Sequence, residues 1–179
     1  YEKLYPDIIK PIYQNENQFS KRKKILVENI LPNVKGKYIA TCEGDDFWIN
    51  PNKLQKQINF LELHEDYSMC FHAVSVVDTN KKPLNKHLGP YGKGSNTYGM
   101  RECIKGGVVH ISSLVMRTDC FKQNMPVWYL NSRHGDYALA LYLSANGRVY
   151  FIDEVMSAYR SGVENSLMTK LKDNYSKQN

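Results

Sequence analysis

Several features that would identify a membrane, secreted or nucleic-acid-binding protein are missing from this 179-residue sequence. No stretch approaches the roughly 20 consecutive apolar residues that a membrane-spanning helix needs. The four cysteines lie far apart, without the paired spacing of zinc or redox motifs, and Cys42 and Cys70 fall in predicted buried strands. We therefore expect reduced thiols in a cytoplasmic protein.

The charge of the chain is basic but carries no nucleic-acid signature. The formal net charge is +6, yet the basic residues are scattered apart from the run 21–24, and the usual nucleic-acid modules are absent. An anionic substrate and peripheral contact with the inner face of a membrane agree with this charge equally well. An apolar fraction of 42% in a chain of this length is typical of one compact domain.

An acidic loop follows the first predicted buried strand. Tyr38–Cys42 has strand composition, and Glu43, Asp45 and Asp46 come directly after it. Adjacent carboxylates repel one another unless a cation or a bound proton offsets their charge. Hard oxygen ligands favour Mg²⁺, Mn²⁺ or Ca²⁺ over zinc. The alternative is a solvated turn that caps the next helix.

The residues after the acidic loop predict a helix and a second buried strand. Asn50-Pro51 is typical of a helix start, and Leu54, Ile58 and Leu61 form the apolar face of that helix. The apolar stretch 67–77 follows as a strand. Strand, helix and strand together predict a parallel sheet covered by helices.

Other segments have simpler predictions. We expect a strand at 8–13, a long loop at 81–97, a short helix at 98–104 and a helix at 137–145 that is buried on most faces. The run 21–24 is interpreted as part of a helix surface. The residues from 167 onward form a polar tail.

In their order and spacing these segments resemble the inverting glycosyltransferases of family 2, which have the GT-A fold. The matching segments are 36–40, 43–48, 52–57, 110–117, 135–139 and 155–160. The resemblance implies a three-layer, Rossmann-like α/β/α domain with a mostly parallel central sheet. It assigns residues 1–166 to a partial catalytic domain that lacks the usual first strands, and 167–179 to the tail.

The resemblance also implies roles for three carboxylates. Asp45 and Asp46 match the DXD-type motif that holds Mn²⁺ or Mg²⁺ and, through the metal, the diphosphate of a sugar nucleotide. Asp136 matches the general base that removes the proton from the acceptor hydroxyl. The residues alone leave a second interpretation for Asp136, because an acid at a helix N-terminus also interacts favourably with the helix dipole.

Two arginines are candidates for the donor diphosphate. Arg160 follows an apolar strand, and its guanidinium matches phosphate oxygens in two-point geometry. The alternative for Arg160 is a surface ion pair with Asp153 or Glu154. Arg22 lies where the family often has an arginine near the nucleotide.

Aromatic residues and one histidine are candidates for the acceptor pocket. Trp48 is expected beside the metal loop, Trp128 is either a sugar-stacking or a core aromatic, and His134 either faces the acceptor or lies on the surface. The implied partners are a nucleotide-sugar donor, with UDP as the expected nucleotide, and a saccharide or lipid-linked acceptor. A metal-dependent nucleotidyltransferase and a non-catalytic fragment of such a domain are the alternative functions.

Overall fold

The computed structural model describes residues 1–16, 18, 21 and 24–163. The helices are α1 (Lys53–Leu63), α2 (Met100–Ile104), α3 (Val127–Leu130) and α4 (Gly135–Asn146). The strands are β1 (Tyr38–Ala40), β2 (Phe47–Trp48), β3 (Tyr67–Val77), β4 (Pro83–Leu88), β5 (Asn96–Tyr98), β6 (Val115–Arg117) and β7 (Arg148–Arg160). Short helical turns occupy Leu26–Ile30, Leu31–Asn33, Ile111–Ser113 and Thr118–Phe121.

One mixed sheet contains all seven described strands. Its main order is β1-β6-β3-β7-β2, while β4 pairs with β3 and β5 pairs with β7. Only β3 and β7 pair in parallel among these strands. The α/β class is therefore confirmed, but the mostly parallel sheet expected from the sequence is wrong. Strand β6 lies between β1 and β3 and is antiparallel to both. The two strands of the predicted crossover, β1 and β3, therefore run in the same direction but do not pair with each other.

The centre of the sheet is β3, whose bounds agree with the sequence prediction. Ten of its eleven residues are buried, which is expected of a strand covered on both faces. Met69, Phe71 and Ala73 belong to the larger core cluster with Leu139 and Leu143 of α4. Cys70 belongs to a second cluster, which contains Leu61 of α1. Because strand side chains alternate between faces, α4 and α1 cover opposite faces of the sheet.

The predicted helix after the acidic loop forms as α1, although its buried face is not only apolar. Leu61 is fully buried, and Leu54 and Ile58 pack beside it, as expected. Lys53 and Gln57 are also buried. They lie eight and four residues before Leu61, so all three side chains share one face of the helix. The Gln57 amide donates hydrogen bonds to the backbone oxygens of Cys70 and Ser113.

Three sequence predictions are wrong in detail. Residues 8–13 belong to none of the described strands, and the predicted loop at 81–97 contains β4 and β5. Strand β4 is exposed along most of its length, so it lacks the apolar alternation that indicates a strand. Strand β1 ends at Ala40, because its partner strand β6 begins just after the turn Ile111–Ser113. Cys42 therefore lies outside the strand and is exposed, whereas the sequence predicted a buried position.

The short helix α2 and the long helix α4 agree with the predictions for their segments. The C-terminal tail 167–179 and the end of the predicted catalytic domain, residues 164–166, lie outside the described residues. In the described part of the chain, no helix has both the length and the apolar character needed to cross a membrane.

Gly147 joins α4 to β7 at a close backbone approach. A Cβ at this position would lie 2.9 Å from the Ser68 nitrogen and 3.1 Å from the Asp66 oxygen. Neither backbone atom can move freely, because the Arg148 nitrogen donates to the same Asp66 oxygen. A Cβ at Gly135, in contrast, would meet no atom within 4 Å.

We predict that Gly147→Ala lowers the free energy of unfolding by about 1–3 kcal/mol, because the added methyl group overpacks this junction. Urea unfolding at 25 °C measures the change. Gly135→Ala is the matched control and should keep or slightly raise the midpoint, because alanine is a better helix former than glycine and the added methyl group meets no atom. Equal midpoints for the two variants would contradict this account of the junction.

Candidate functional site

The acidic loop is held at the end of β7 by the short strand β2. Phe47 and Trp48 of β2 pair with Ala158 and Ser157 of β7. The Asp46 nitrogen donates to the Glu43 oxygen, which closes a turn directly before β2. The loop therefore joins the β1 edge of the sheet to the C-terminal end of β7.

Asp46 is the buried member of the acidic loop. Its Oδ1 accepts a hydrogen bond of 3.2 Å from the backbone nitrogen of Arg160. Its Oδ2 is buried and has no hydrogen-bond partner among the described residues. Burial raises the pKa of Asp46, whereas the Arg160 N–H, His110 and Ser112 act in the opposite direction. One oxygen is thus fixed by the backbone, and the other is left available.

His110 lies next to this available oxygen. Its Nδ1 is 3.9 Å from Asp46 Oδ2 and 2.9 Å from the Ser112 hydroxyl. Burial lowers the pKa of His110, while the charges of Asp46, Asp136 and Asp45 act to raise it. The imidazole therefore lies within the electrostatic field of all three carboxylates.

The pKa of Glu43 responds to the charge of Asp136, at the start of α4. The residue keeps an exposed surface, yet partial burial of its carboxyl, followed by the charges of Asp136, Asp46 and Asp45, raises its pKa to about 7. Asp136 is about ninety residues away in sequence, and it interacts with both Glu43 and His110. The charge of the predicted base therefore acts on the same residues as the charges of the predicted metal ligands.

Asp136 itself is exposed in the first turn of α4. An acid at this position also interacts favourably with the helix dipole. The general-base and helix-dipole interpretations of Asp136 are therefore compatible. A cavity of about 200 Å³ adjoins Asp136, between α4 and the residues that follow α2. Tyr129 is buried near the same carboxylate, since burial and then the charge of Asp136 raise the pKa of Tyr129 to about 12.

Arg160 contacts the site through its backbone, and its guanidinium lies over the ring of Phe47. The guanidinium Nε is buried without a hydrogen-bond partner among the described residues. The surface ion pair considered as an alternative does not form. Asp153 instead accepts from the Gly92 and Gly94 nitrogens, and Glu154 pairs with Lys56.

Trp48 connects the site to α1. The Trp48 Nε1 donates a 3.1 Å hydrogen bond to the Ser112 oxygen, and the Lys53 Nζ lies 4.4 Å from the centroid of the Trp48 ring. The Ser112 hydroxyl contacts both His110 Nδ1 and the Ser157 hydroxyl. Trp48 therefore packs beside the acidic loop, as expected, and supports the turn that carries His110.

The remaining sequence candidates have varied positions. Trp128 is 49% exposed on α3, so the alternative of a core aromatic is wrong. His134 is an exposed residue directly before α4. Neither residue lines the cavity beside Asp136, and their acceptor roles stay predictions. Arg22 lies outside the described residues.

The acidic loop carries carboxylate oxygens, the ligand type that hard divalent cations favour. Buried polar atoms nearly always have a partner, and Asp46 Oδ2 has none among the described residues. Groups of three or more metal-ligating side chains arranged to hold an ion are absent from the described part of the chain. However, Mg²⁺ usually takes only one or two protein carboxylates and completes its shell with water and substrate phosphate. Asp45 and Asp46 could therefore hold such an ion.

Two site residues had no role in the sequence analysis. His110 lacks metal-ligand spacing to any other histidine, and its proximity to Asp46 arises only from tertiary pairing. Lys53 is 1% exposed, and burial lowers its pKa to about 8. The sequence did contain a signal for the burial of Lys53. Lys53 lies one helical turn before Gln57 and two turns before Leu61, on the face of α1 that packs against the core.

Comparison with known proteins adds a partial similarity. No protein-family model matches the chain. The uncharacterized proteins Rv1520 of Mycobacterium tuberculosis and Mb1547 of Mycobacterium bovis are each 26% identical over 172 residues, which cover 89% of this chain and 44% of each relative. A Bacillus subtilis protein named "Putative glycosyltransferase EpsE" is 36% identical over 78 residues, 44% of this chain and 27% of that protein. The chain thus spans less than half the length of these relatives.

The raised pKa of Glu43 gives a pH dependence with a definite sign. The folded state holds the Glu43 proton up to about pH 7, whereas the ordinary value is 4.5. Between these values the folded state binds more protons than the unfolded chain, so the free energy of unfolding falls as pH rises. We predict that Glu43→Gln removes this fall in the free energy of unfolding. The stability of the variant relative to the parent should therefore increase as the pH rises from 4.5 to 7.

Thermal unfolding in EDTA across this pH range measures the effect, because chelation keeps divalent cations from offsetting the repulsion. Glu65→Gln, an exposed position after α1, is the control and should follow the parent at every pH. If the difference in stability between Glu43→Gln and the parent were the same at every pH, the raised pKa of Glu43 would be wrong.

Proposed function

We propose that the chain is part of a family 2 type glycosyltransferase, which moves a sugar from a nucleotide diphosphate to an acceptor hydroxyl with inversion. The observation that carries the proposal is the shared electrostatic environment of Glu43, Asp46 and Asp136. Such a transfer needs an acidic donor site and a separate carboxylate facing it. The partial similarity to a protein named as a glycosyltransferase is in agreement.

Asp45 and Asp46 would bind the donor side through Mn²⁺ or Mg²⁺. The Arg160 N–H holds Asp46 Oδ1, while Oδ2 is buried without a hydrogen-bond partner among the described residues, 3.9 Å from His110 Nδ1. When bound, the cation would neutralise charge on the departing diphosphate. The Arg160 guanidinium is a candidate for direct contact with the phosphate oxygens, because its Nε lacks a partner among the described residues.

Asp136 would act on the acceptor. Its carboxylate takes the proton from the acceptor hydroxyl while the hydroxyl oxygen forms a bond to the anomeric carbon of the donor sugar. The bond from that carbon to the diphosphate oxygen breaks on the opposite side, and its electron pair leaves with the nucleotide diphosphate. A single displacement of this kind inverts the anomeric centre.

We predict that Asp136→Asn lowers kcat for transfer by about 10²- to 10⁴-fold, since the amide cannot accept the proton. A screen of sugar nucleotides, with UDP sugars first, identifies the donor for this assay. Donor affinity, measured with UDP and Mn²⁺, should stay close to that of the parent protein. Asp119→Asn is the control, because Asp119 is an exposed acid paired with Lys122. Unchanged transfer in Asp136→Asn would exclude this residue as the base.

We further predict that Asp46→Asn abolishes the Mn²⁺-dependent binding of UDP. The amide can still accept from the Arg160 nitrogen, so the loop keeps its shape while a charged metal ligand is lost. Isothermal titration of UDP with Mn²⁺, compared with the same titration in EDTA, measures the effect. Metal-dependent heat that persists in Asp46→Asn but not in EDTA would place the cation elsewhere.

A further inference from the structure

A basic segment without acids follows the central strand of the sheet. Residues 79–94, which include β4 and the loop after it, contain neither aspartate nor glutamate, and we call them the basic arm. All its lysines are exposed, and none of them pairs with a carboxylate among the described residues. These lysines are Lys81, Lys82, Lys86 and Lys93.

Two carboxylates outside the basic arm hold its ends in place. The Asp78 carboxylate accepts hydrogen bonds from two backbone nitrogens of the turn 80–82, and the Asp153 carboxylate accepts from two in the loop 92–94. Between these ends, β4 pairs with β3. The arm is therefore an ordered surface, on which four lysines outnumber the two adjoining carboxylates.

Large apolar side chains lie among these lysines. Leu84 is 49% exposed and Tyr91 is 46% exposed. The Tyr91 ring packs on the His87 ring, with 4.2 Å between the centroids, which joins the loop to β4. Tyrosine, with an apolar ring and a polar tip, is enriched at the boundary between a membrane and water. Burial of apolar side chains and attraction of cations to anionic lipids both strengthen binding to such a surface.

A simpler explanation covers only part of this pattern. Among the described strands β4 pairs only with β3, so its other edge is open. Lysine on an open edge prevents pairing with other chains, which would account for Lys86. It does not account for Lys93, which lies in the loop, or for the exposed Leu84 and Tyr91. A soluble polyanion would use the lysines alone, whereas an anionic bilayer uses both kinds of side chain.

We propose that the basic arm docks on an anionic phospholipid bilayer, with its lysines at the headgroups and with Leu84 and Tyr91 in the interface. The Lys81 Nζ lies 5.6 Å from the centroid of the Phe47 ring, directly after Asp46 in sequence. A docked bilayer would therefore lie beside the acidic loop. This inference goes beyond the proposed function and does not depend on it, because binding to a bilayer requires no sugar transfer.

Co-sedimentation with vesicles tests the docking. We expect binding to phosphatidylcholine vesicles that contain phosphatidylglycerol, no binding to phosphatidylcholine alone, and loss of binding at high salt, which screens the charges. Lys86→Glu combined with Lys93→Glu should weaken binding by about tenfold or more, since each lysine near an anionic surface strengthens binding by about fivefold. Lys3→Glu combined with Lys35→Glu makes the same change in net charge at exposed positions outside the arm and should bind as the parent does.

A second comparison separates a bilayer from a soluble polyanion. Leu84→Ser combined with Tyr91→Ser should weaken vesicle binding by about fivefold or more, because less apolar surface is buried. The same variant should bind soluble polyphosphate as the parent does. Leu63→Ser combined with Tyr5→Ser, the matched change at other exposed positions, should leave vesicle binding unchanged.

Three results would overturn the inference: no preference for the anionic vesicles, equal vesicle binding by the two lysine pairs, or vesicle binding that is insensitive to the loss of Leu84 and Tyr91. The last result, with polyphosphate binding retained, would assign the arm to a soluble polyanion. Titration with UDP and Mn²⁺ on the same samples tests the proposed function separately, so failure of one proposal is distinguishable from failure of the other.

Discussion

The arrangement of the site depends on one buried carboxyl group, that of Asp46. The Arg160 backbone nitrogen, at the end of β7, donates to one of its oxygens. His110, on the turn before β6, lies close to the other. Three segments that are distant in sequence therefore meet at one side chain. Because burial penalises the ionised form, this carboxyl is tolerated only where dipoles or a cation favour its charge.

The structure behind the carboxyl group is unusually polar for a protein core. Lys53 donates to Gln57, and Gln57 donates to the backbone of β3 and of the 111–113 turn. The Lys53 Nζ also lies against the face of the Trp48 ring. The indole nitrogen of Trp48 donates a hydrogen bond to the Ser112 backbone oxygen. Each buried polar group in this series has a partner, so it fixes the position of the turn that carries His110 without leaving orphaned groups.

The sequence predicted those parts of the fold in which apolar pattern and local signals coincide. β3 is a continuous apolar segment, and α1 has a clear start and an apolar face, so both were predictable. β4 was not, because it is an exposed strand whose existence depends on pairing with β3. The same limit applies to the site. The acidic loop was visible as a local cluster, but the proximity of His110 depends on tertiary packing, which no local pattern encodes.

Asp136 is associated with two different chemical environments, the acidic loop and the cavity between α4 and the residues that follow α2. In the first, Glu43, Asp45 and Asp46 concentrate negative charge that a cation can offset. In the second, the cavity walls are mainly apolar and carry no cation to attract phosphate. In the proposed transfer, a nucleotide diphosphate bound through a metal would therefore be favoured at the acidic loop and disfavoured in this cavity. Asp136 would then face the acceptor without competing for the cation, which is the separation that an in-line displacement requires.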